Sequence, residues 1–453
     1  MRLYNGVRLL DRPSPANVLR LDQGCIPMLR DMHRHGIWLN VDVLRELERD
    51  LTVKECELAE DINQWVGRPF DANSPDKVAD LLFRELELTP PGRVKMTKTG
   101  KRPSVDDDFL ASIADLHPLV PLIQDLRGIR KLKSTYVLAL PRMVGEDERV
   151  HTTFRTTVAR TGRLTSEHPN AQNVDPRVRG AFQAQFPYTT LASLDLSQIE
   201  MRVAAHLSQD PTMMDVFHRD LDIHVMTACG LFRLSYDQIA GQWKLYKGGE
   251  LPSGSPDYLS MKYFEQNQRL PAKTLGFQVL YGATGGGLQQ NILASGGPYW
   301  EVAACDTFIE AWFTLYDKVR ELMDLQYSRA RRYGMVWDMF GRPRLIPGAR
   351  SALSYVASKA LREAGNQPIQ ASAQGIIKLA MAQIQTELVG YYQSLGEICW
   401  PLCQLHDEIL FELNNSIADD FIGDAKRIME TVVPLSIPIR SSATKANNWR
   451  ELK

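Results

Sequence analysis

Two distant stretches of the sequence place a carboxylate where an apolar run ends. Residues 189–194 are apolar and strand-like, and they run directly into Asp195, after which apolar residues recur at helical spacing. We therefore expect Asp195 at a strand-to-helix junction. Free backbone N–H groups near Ser197 and Gln198 would favour an anion there, which suits a metal-bound triphosphate. The alternative is that Asp195 only caps the helix.

The second stretch, residues 399–413, has two apolar runs around His406, Asp407 and Glu408. This pattern predicts a hairpin with these polar residues at its bend, so that Asp407 can face Asp195 across a sheet. Carboxylates at the ends of apolar strands are costly to desolvate without a cation. Two hard oxygen sites favour Mg²⁺, and two ions about 4 Å apart would suit in-line phosphoryl transfer. A surface turn without a role is the alternative.

A third stretch carries Arg269, Lys273, Phe277 and Tyr281 at intervals of four, with a proline near its start and glycines after its end. The proline predicts a first helical turn and the glycines predict a helix end. On such a helix the four residues form one slanting stripe of two cations followed by two aromatics. That order matches the phosphates, sugar and base of a nucleoside triphosphate. An amphipathic helix with an aromatic core stripe remains the alternative.

Length and composition limit the classes of protein that could carry these residues. With 453 residues, 44% of them hydrophobic and 24% charged, the chain is expected to fold into several globular subdomains. Its net charge of -1 means that a nucleic-acid surface would have to be local. The six cysteines lack the spacing of zinc or disulfide frameworks. We find no signal core or membrane-length apolar run, so a cytoplasmic location is expected.

Several segments can be assigned from local patterns. Residues 1–24 look like a lead-in, residues 41–66 like a charged amphipathic helix, and residues 88–104 like an exposed basic loop. Residues 237–262, rich in Gly, Pro, Ser and Tyr, look like an insertion or flexible loop.

A dense basic stripe with hydroxyls beside it lies in a helical setting between residues 120 and 142. The segment holds Arg127, Gly128, Arg130, Lys131, Lys133, Ser134 and Thr135, and its candidate DNA-binding residues are Arg130, Lys131, Lys133 and Ser134. Tracking of nucleic-acid phosphates is one hypothesis, and a solvated helix face is the other.

The three stretches closely resemble the A, B and C motifs of family A DNA polymerases, the bacterial DNA polymerase I group. The first reads Asp-Leu-Ser-Gln-Ile-Glu-Met-Arg from Asp195, the second is the Arg-Lys-Phe-Tyr stripe, and the third is His-Asp-Glu from His406. Further matches lie at 161–166, 169–173, 222–224 and 362–378. The resemblance covers about residues 25–453. One departure is Leu196, where the family commonly has tyrosine.

The resemblance implies an α+β right-hand polymerase fold, with an antiparallel palm sheet and a helical thumb and fingers. The expected boundaries are a lead-in at 1–24, thumb and start of palm at 25–150, palm at 151–215, fingers with the insertion 237–262 at 216–350, and palm again at 351–453.

The resemblance also assigns the catalytic and nucleotide-binding residues. Asp195, Asp407 and the backbone carbonyl of Leu196 would bind two Mg²⁺ ions, for which Mn²⁺ could substitute. Lys273 would protonate the leaving pyrophosphate. The nucleotide-binding set would comprise Arg269, Lys273, Phe277, Tyr281, Glu200, His224, Ser197 and Gln198. Within it, Glu200 would close the space beside the sugar C2′ and exclude ribonucleotides.

The DNA-binding residues are implied in the same way. Arg163, Asn366 and Gln370 match residues that contact acceptors in the minor groove, which every correct base pair presents. His406 would contact the primer terminus and Arg362 the duplex or template. The remaining members of the set are Asn170, Gln172 and Asn173, together with the basic stripe, which would belong to the thumb.

The implied function is template-directed addition of dNTPs to a primer 3′ end, in replication or repair. The expected partners are primer–template DNA and dNTPs, with a separate exonuclease or replisome proteins as further candidates, no membrane, and a monomeric chain in a bacterial or phage-infected cell or an organelle. Because about 24 residues precede the matching region, we expect neither a 3′ to 5′ exonuclease nor a 5′ nuclease.

Three other functions remain open from the residues alone. A single-subunit RNA polymerase would share the two carboxylates, although Glu200 and Phe277 argue against it. A metal nuclease could use the same aspartates without needing the stripe. A non-catalytic duplex-binding protein would not need either carboxylate.

Overall fold

The computed structural model describes residues 14–89, 96–97, 103–295 and 297–452. Within these residues the chain forms two compact units. The first contains 14–35, Thr152–Glu167 and Phe186–Ala446. The second contains the described parts of Gly36–His151, His168–Gln185 and 447–452.

A four-stranded antiparallel sheet lies at the centre of the first unit, in the order β10-β5-β9-β8. Its strands are β5 (Thr189–Leu196), β8 (Cys399–Leu405), β9 (Glu408–Asn414) and β10 (Ser441–Ala446). Two small hairpins complete the strands of this unit: β3 (Thr153–Arg155) with β4 (Thr165–Glu167), and β6 (Met335–Trp337) with β7 (Pro343–Leu345). The strand that carries Asp195 is therefore flanked on both sides by other strands.

Helices make up most of the rest of this unit. They are α1 (Pro15–Gly24), α2 (Ile26–His35), α7 (Ile199–Ser208), α8 (Pro211–His218), α9 (Ile223–Phe232), α10 (Tyr236–Lys247), α11 (Pro256–Phe264), α12 (Leu270–Leu280), α13 (Gly285–Ala294), α14 (Val302–Leu315), α15 (Asp317–Tyr333), α16 (Ser354–Ile384), α17 (Gly390–Ser394) and α18 (Ala418–Thr431). The long helix α16 is the main support, because most of its residues from Ala364 onward are buried.

The second unit has its own apolar core. It contains β1 (Ile37–Trp38) paired with β2 (Arg149–Val150), and the helices α3 (Val41–Val66), α4 (Pro75–Asp80), α5 (Asp107–Ala111) and α6 (Leu119–Leu132). Helices α3 and α6 pack through side chains such as Leu58, Ile62 and Ile123. The charged amphipathic helix predicted at 41–66 is confirmed. Residues 90–95 and 98–102 of the predicted basic loop lie outside the described residues.

The interpretation of residues 1–24 as a lead-in was wrong for the described part, residues 14–24. Ser14 caps α1, and Val18 and Leu21 are buried in the main core. Asp22 accepts hydrogen bonds from Lys378, whose side chain is fully buried on α16, at 2.6 Å and from Arg342 at 2.7 Å. A buried ammonium requires such a partner, so this helix is part of the fold.

The expectation of a flexible loop at 237–262 was also wrong. Most of the segment lies in α10 and α11, and Ser255 caps α11 with a proline in its first turn. A π-helical turn at Glu265–Arg269 then joins α11 to α12 without a break. Pro271 lies in the first turn of α12, as predicted, and the wider turn before it accommodates its missing N–H.

No helix among the described residues is both long enough and apolar enough to cross a membrane.

Candidate active site

Asp195 and Asp407 lie next to each other at one end of the central sheet. The hairpin predicted at 399–413 is confirmed, with His406 and Asp407 forming the bend between β8 and β9. Strand β9 pairs with β5 so that Asp195 lies opposite Glu408. The backbone N–H of Leu196 donates to the carbonyl oxygen of Asp407 at 3.1 Å. Two carboxylates 212 positions apart in the sequence are thus brought to one place by strand pairing.

The bend is held by side chains from neighbouring elements. His406 has a positive φ of 57°, which few non-glycine residues adopt. Its carbonyl oxygen accepts hydrogen bonds from the amide of Gln374 on α16, at 3.4 Å, and from Gln404. The carboxylate of Glu408 accepts from the hydroxyl of Ser193 at 2.6 Å. These contacts fix the direction in which the bend presents Asp407.

The electrostatics of the pair favour a cation. Burial and, to a lesser extent, the nearby carboxylates of Asp195 and Glu200 together raise the pKa of Asp407 to about 7, although Arg163 opposes the rise. A buried carboxylate beside another carboxylate is unfavourable unless a positive charge joins them. No group of three or more His, Cys, Asp or Glu residues in the described part of the chain could hold a metal. A two-carboxylate site with other oxygen ligands fits Mg²⁺, which commonly binds through one or two carboxylates.

The expectation that the N–H group of Ser197 is free at the start of the helix was wrong. Helix α7 begins at Ile199, and the N–H of Ser197 donates to the carbonyl of Arg440 at 2.8 Å. Gln198 has a φ of 54°, and α7 has no side-chain cap. Asp195 is therefore not the capping residue of this helix, and the backbone of Ser197 is not available to an anion.

A pocket of about 350 Å³ contains both aspartates and all four residues of the predicted stripe. Its lining residues are Arg163, Asp195, Leu196, Gln198, Ile199, Glu200, His224, Arg269, Lys273, Phe277, Tyr281, His406 and Asp407. The stripe is helical as predicted, with Tyr281 directly after the end of α12. Cations, aromatic rings and paired carboxylates therefore surround one cavity, which is the arrangement that a metal-bound nucleotide requires.

Arg269 is held in place by two carboxylates. Its Nη2 and Nε donate to Asp222 Oδ2 at 2.8 and 3.3 Å, and its Nη1 donates to Glu265 at 3.4 Å. Asp222 also accepts from the N–H groups of His224 and Val225, and so caps α9. Lys273, one turn further along α12, is exposed. Asp222 belongs to a sequence motif that gives it no separate role, and no motif contains Glu265.

His224 is a neutral member of the pocket at neutral pH. It is 2% exposed, and its ring centroid lies 5.5 Å from that of Phe277. Burial lowers its pKa to about 4; Asp222 acts against this shift, while Arg269 and Lys273 add to it. Its Nδ1 is buried without a hydrogen-bond partner among the described residues. Such an atom is suited to a ligand that brings its own polar group.

We expect the free energy of unfolding to fall in acid because the pKa of His224 is depressed in the folded protein. The pKa is depressed from 6.5 to about 4, so the unfolded chain binds a proton as pH falls below 6.5 while the folded chain does not until about 4. At about 1.4 kcal/mol per pKa unit, the loss between pH 7.5 and pH 4 is about 3 kcal/mol. Urea unfolding should show that His224→Gln removes this loss.

The exposed His218 on α8 provides a matched control for this experiment. His218→Gln should leave the pH profile parallel to that of the unmodified protein. Equal profiles for His224→Gln and the unmodified protein would show that His224 is not buried in its neutral form.

A hydrogen-bonded network joins four predicted residues that the sequence reasoning treated separately. Glu200 is 8% exposed and accepts from Arg163 at 2.6 Å and from the hydroxyl of Tyr281 at 2.8 Å. With its amide oxygen turned toward Arg163, Gln370 accepts from Arg163 at 3.1 Å and lies 3.3 Å from the Tyr281 hydroxyl. Burial, reinforced by Glu200, raises the pKa of Tyr281 to about 12. The tyrosine therefore stays protonated and donates to Glu200.

A second pocket of about 370 Å³ adjoins Tyr281. Its lining residues are Thr161, Tyr281, Arg344, Lys359, Arg362, Glu363, Asn366 and Gln370. The amide oxygen of Asn366 is buried there without a hydrogen-bond partner among the described residues. Arg362 packs against Gly282, where an added Cβ would lie 2.6 Å from Arg362 Cγ. The predicted DNA-contacting residues of α16 thus share one cavity, whereas His406 lines the first pocket.

The other predicted DNA-binding residues belong to the second unit. Arg130 and Lys133 both pair with Glu55, at 2.9 and 2.7 Å, and Lys131 is exposed. Lys133 and, to a lesser extent, Arg130 lower the pKa of Glu55, although burial opposes them. Two of these three cations are therefore partly neutralised within the protein. Ser134 donates to the carbonyl of Lys131 at 3.2 Å.

The segment containing Asn170, Gln172 and Asn173 forms a short 3₁₀ turn over Ala171–Asn173. The carbonyl of Asn173 accepts a hydrogen bond from the hydroxyl of Tyr136. DNA contact by this segment and by the basic stripe stays a prediction.

Comparison with known proteins agrees with this geometry. A family profile described as DNA polymerase family A matches residues 41–244 and 258–451. The thermostable DNA polymerase I of Thermus filiformis is 35% identical over 433 residues, which are 94% of this chain and 47% of that protein. DNA polymerase I of Deinococcus radiodurans is 33% identical over 94% of this chain and 41% of its own length. The chain thus spans about half the length of these relatives.

A solved structure gives the same result for the fold. The POL domain of Pol1 from M. smegmatis, in complex with DNA primer-template and dNTP, superposes with a TM-score of 0.81 at 28% identity, covering 96% of this chain and 70% of that one. The α+β right-hand polymerase fold expected from the sequence is confirmed. The chain belongs to DNA polymerase family A.

Proposed function

We propose that this chain is a template-directed DNA polymerase that adds dNTPs to a primer 3′ end. The observation that carries the proposal is the single pocket shared by Asp195, Asp407 and the Arg269–Tyr281 stripe. The solved relative described above binds primer–template DNA and a dNTP. Two carboxylates for metal ions and a row of cations and aromatics for a nucleotide are what this reaction needs.

The nucleotide is proposed to lie along α12. Arg269 and Lys273 would bind the phosphates, because charge-assisted hydrogen bonds to phosphate oxygens are strong. His224, neutral at the working pH, would add a hydrogen bond rather than a charge. Phe277 would pack against the sugar and Tyr281 near the base. The carboxylate of Glu200, held by Arg163 and Tyr281, would lie beside the sugar C2′.

Asp195, Asp407 and the carbonyl of Leu196 are proposed to bind two Mg²⁺ ions. Bound there, Mg²⁺ would neutralise charge on the phosphates and lower the pKa of the primer hydroxyl. In the proposed reaction the primer 3′ hydroxyl would lose its proton to water, and O3′ would bond to the α-phosphorus as the bond from that phosphorus to the pyrophosphate oxygen breaks. Lys273, exposed at the pocket, would give the leaving pyrophosphate its proton.

Primer–template DNA is proposed to contact the second pocket and the network beside it. Arg163 and Gln370 meet at Tyr281, so all three can respond to the shape of the terminal base pair. The amide oxygen of Asn366 is buried without a partner among the described residues, so a donor group or water would satisfy it. The N–H groups of Arg163, Gln370 and Asn366 would donate to the minor-groove acceptors, which are similar in all correct pairs.

Primer extension tests the proposal. With a labelled primer–template, we expect extension with dNTPs and Mg²⁺, none with EDTA, and much weaker extension with rNTPs. Preferential use of rNTPs would indicate an RNA polymerase, and shortening of the strands without extension would indicate a nuclease. DNA binding without synthesis under all metal conditions would contradict the proposal.

A further inference from the structure

The guanidinium of Arg269 is covered on one face by an indole ring. Its Cζ lies 4.7 Å from the centroid of Trp243, which is on α10 and is 7% exposed. This distance is within the range of a cation–π contact, and Trp is the strongest partner for such contacts. The contact connects α10 to the first cation of the stripe.

The edges of the same guanidinium are partly occupied. Asp222 accepts one N–H from Nε and one from Nη2, and Nη1 makes only long contacts, at 3.4 and 3.5 Å, with the two carboxylate oxygens of Glu265. An arginine has five N–H groups, so one remains on Nη2 beside the weakly engaged Nη1. Two adjacent N–H groups on one edge are the arrangement that binds a phosphate through two parallel hydrogen bonds.

Trp243 is itself fixed by aromatic neighbours. The rings of Tyr246 and Phe264 lie 5.6 and 5.9 Å from it, and Tyr246 in turn packs on Tyr258 at 5.4 Å. The ammonium of Lys247 lies 5.6 Å from the indole. Tyr246 and Lys247 fall in residues 245–257, the stretch between the two parts of the family match. The support for Trp243 is therefore built partly by a segment that the family profile does not match.

We propose that Trp243 is a positioning residue that holds the guanidinium of Arg269 in the plane required to bind the triphosphate of the incoming nucleotide. The inference rests on the proposed function and adds a residue to its nucleotide-binding site.

The physical reason is restriction of the arginine side chain before the ligand arrives. A free arginine loses rotamer entropy when it binds, and that cost is smaller if the side chain is already fixed. The contacts with Glu265 are long, at 3.4 and 3.5 Å. Without the indole the guanidinium can turn toward Glu265 and close these contacts, which would occupy the edge that phosphate needs.

Steady-state incorporation of a single dNTP tests the role. Trp243→Leu should raise the KM for dNTP about 5–10-fold, with kcat and primer–template Kd changed less than about twofold. Trp243→Phe keeps an aromatic face and should recover most of the affinity. Tyr263→Leu is the matched control, because it removes a ring of α11 that is 61% exposed and is not part of the aromatic cluster around Trp243. Its KM should stay near that of the unmodified protein.

A double variant shows whether Trp243 acts through Arg269. If it does, Trp243→Leu should change the KM little in an Arg269→Ala background. A full additional increase there would overturn the inference. So would equal effects of the Leu and Phe variants, or equal KM values for Trp243→Leu and Tyr263→Leu.

A binding measurement separates this inference from the proposed function. Calorimetry with inorganic tripolyphosphate in EDTA needs no catalysis. Weaker binding by Trp243→Leu than by Tyr263→Leu supports the positioning role even if the unmodified chain fails to extend a primer. Such a failure counts against the proposed function alone. Equal tripolyphosphate affinities in the two variants overturn the positioning role.

Discussion

Asp195→Ala and Asp407→Ala are each expected to reduce the rate of primer extension by about a thousandfold or more. Removing one hydrogen-bond donor to a transition state lowers a rate by roughly 10²–10³-fold, and the loss of a metal-binding carboxylate should exceed that. The reason is that each variant removes half of the carboxylate pair that would hold both metal ions. Single-turnover extension at saturating dNTP measures the loss. Primer–template affinity, measured by fluorescence anisotropy, should change little, because the predicted duplex contacts lie on other residues.

Two controls make this prediction specific. Asp215→Ala removes an exposed carboxylate that pairs with Arg219 on α8, and it should leave extension unchanged. Asp407→Asn keeps the side-chain volume while removing the charge, and should be as inactive as Asp407→Ala. Because Asp407 is destabilised by burial and by Asp195, neither substitution should lower the melting temperature in EDTA. Extension by both alanine variants at normal rates would refute the assignment.

The parts of this site that the sequence predicts are those coded locally. The hairpin around Asp407 follows from two apolar runs with three polar residues between them, and the stripe follows from a four-residue period. Helix starts are coded locally as well. Ser14 before Pro15 and Ser255 before Pro256 are helix-start signals, and they disagree with the lead-in and the flexible loop expected for these two segments.

The parts that could not be predicted depend on partners far away in the sequence. The N–H of Ser197 is occupied by the carbonyl of Arg440, which only the pairing of β5 with β10 brings near. In the same way, the partners of Glu200 are 37 and 81 positions away. The spacing of these residues does not indicate which donors will hydrogen-bond to the buried carboxylate of Glu200. The hydrogen-bonded network around Glu200 can therefore be identified only from the folded structure.

Glu200→Ala is expected to reduce the discrimination between dNTPs and rNTPs by about a hundredfold. This factor is near the upper limit of the selectivity that a change of side-chain volume in a small pocket produces. The carboxylate is 8% exposed and fixed at both oxygens, by Arg163 and by Tyr281, so it cannot move aside for a 2′ hydroxyl. The measurement is the ratio of kcat/KM for matched dNTP and rNTP in single-nucleotide incorporation.

The conservative variant decides between volume and charge as the basis of this selectivity. Glu200→Gln keeps the volume and can still accept from Arg163 or Tyr281, so a steric mechanism predicts that it excludes rNTPs nearly as well as glutamate does. If Glu200→Gln admits rNTPs as readily as Glu200→Ala, the negative charge is what excludes the 2′ hydroxyl. In Glu200→Ala both donors lose their partner, and the catalytic efficiency with dNTP should therefore fall about tenfold, the cost of leaving buried polar groups unpaired. Unchanged selectivity in Glu200→Ala would mean that the sugar does not lie beside this carboxylate, and the proposed placement of the nucleotide along α12 would have to be abandoned.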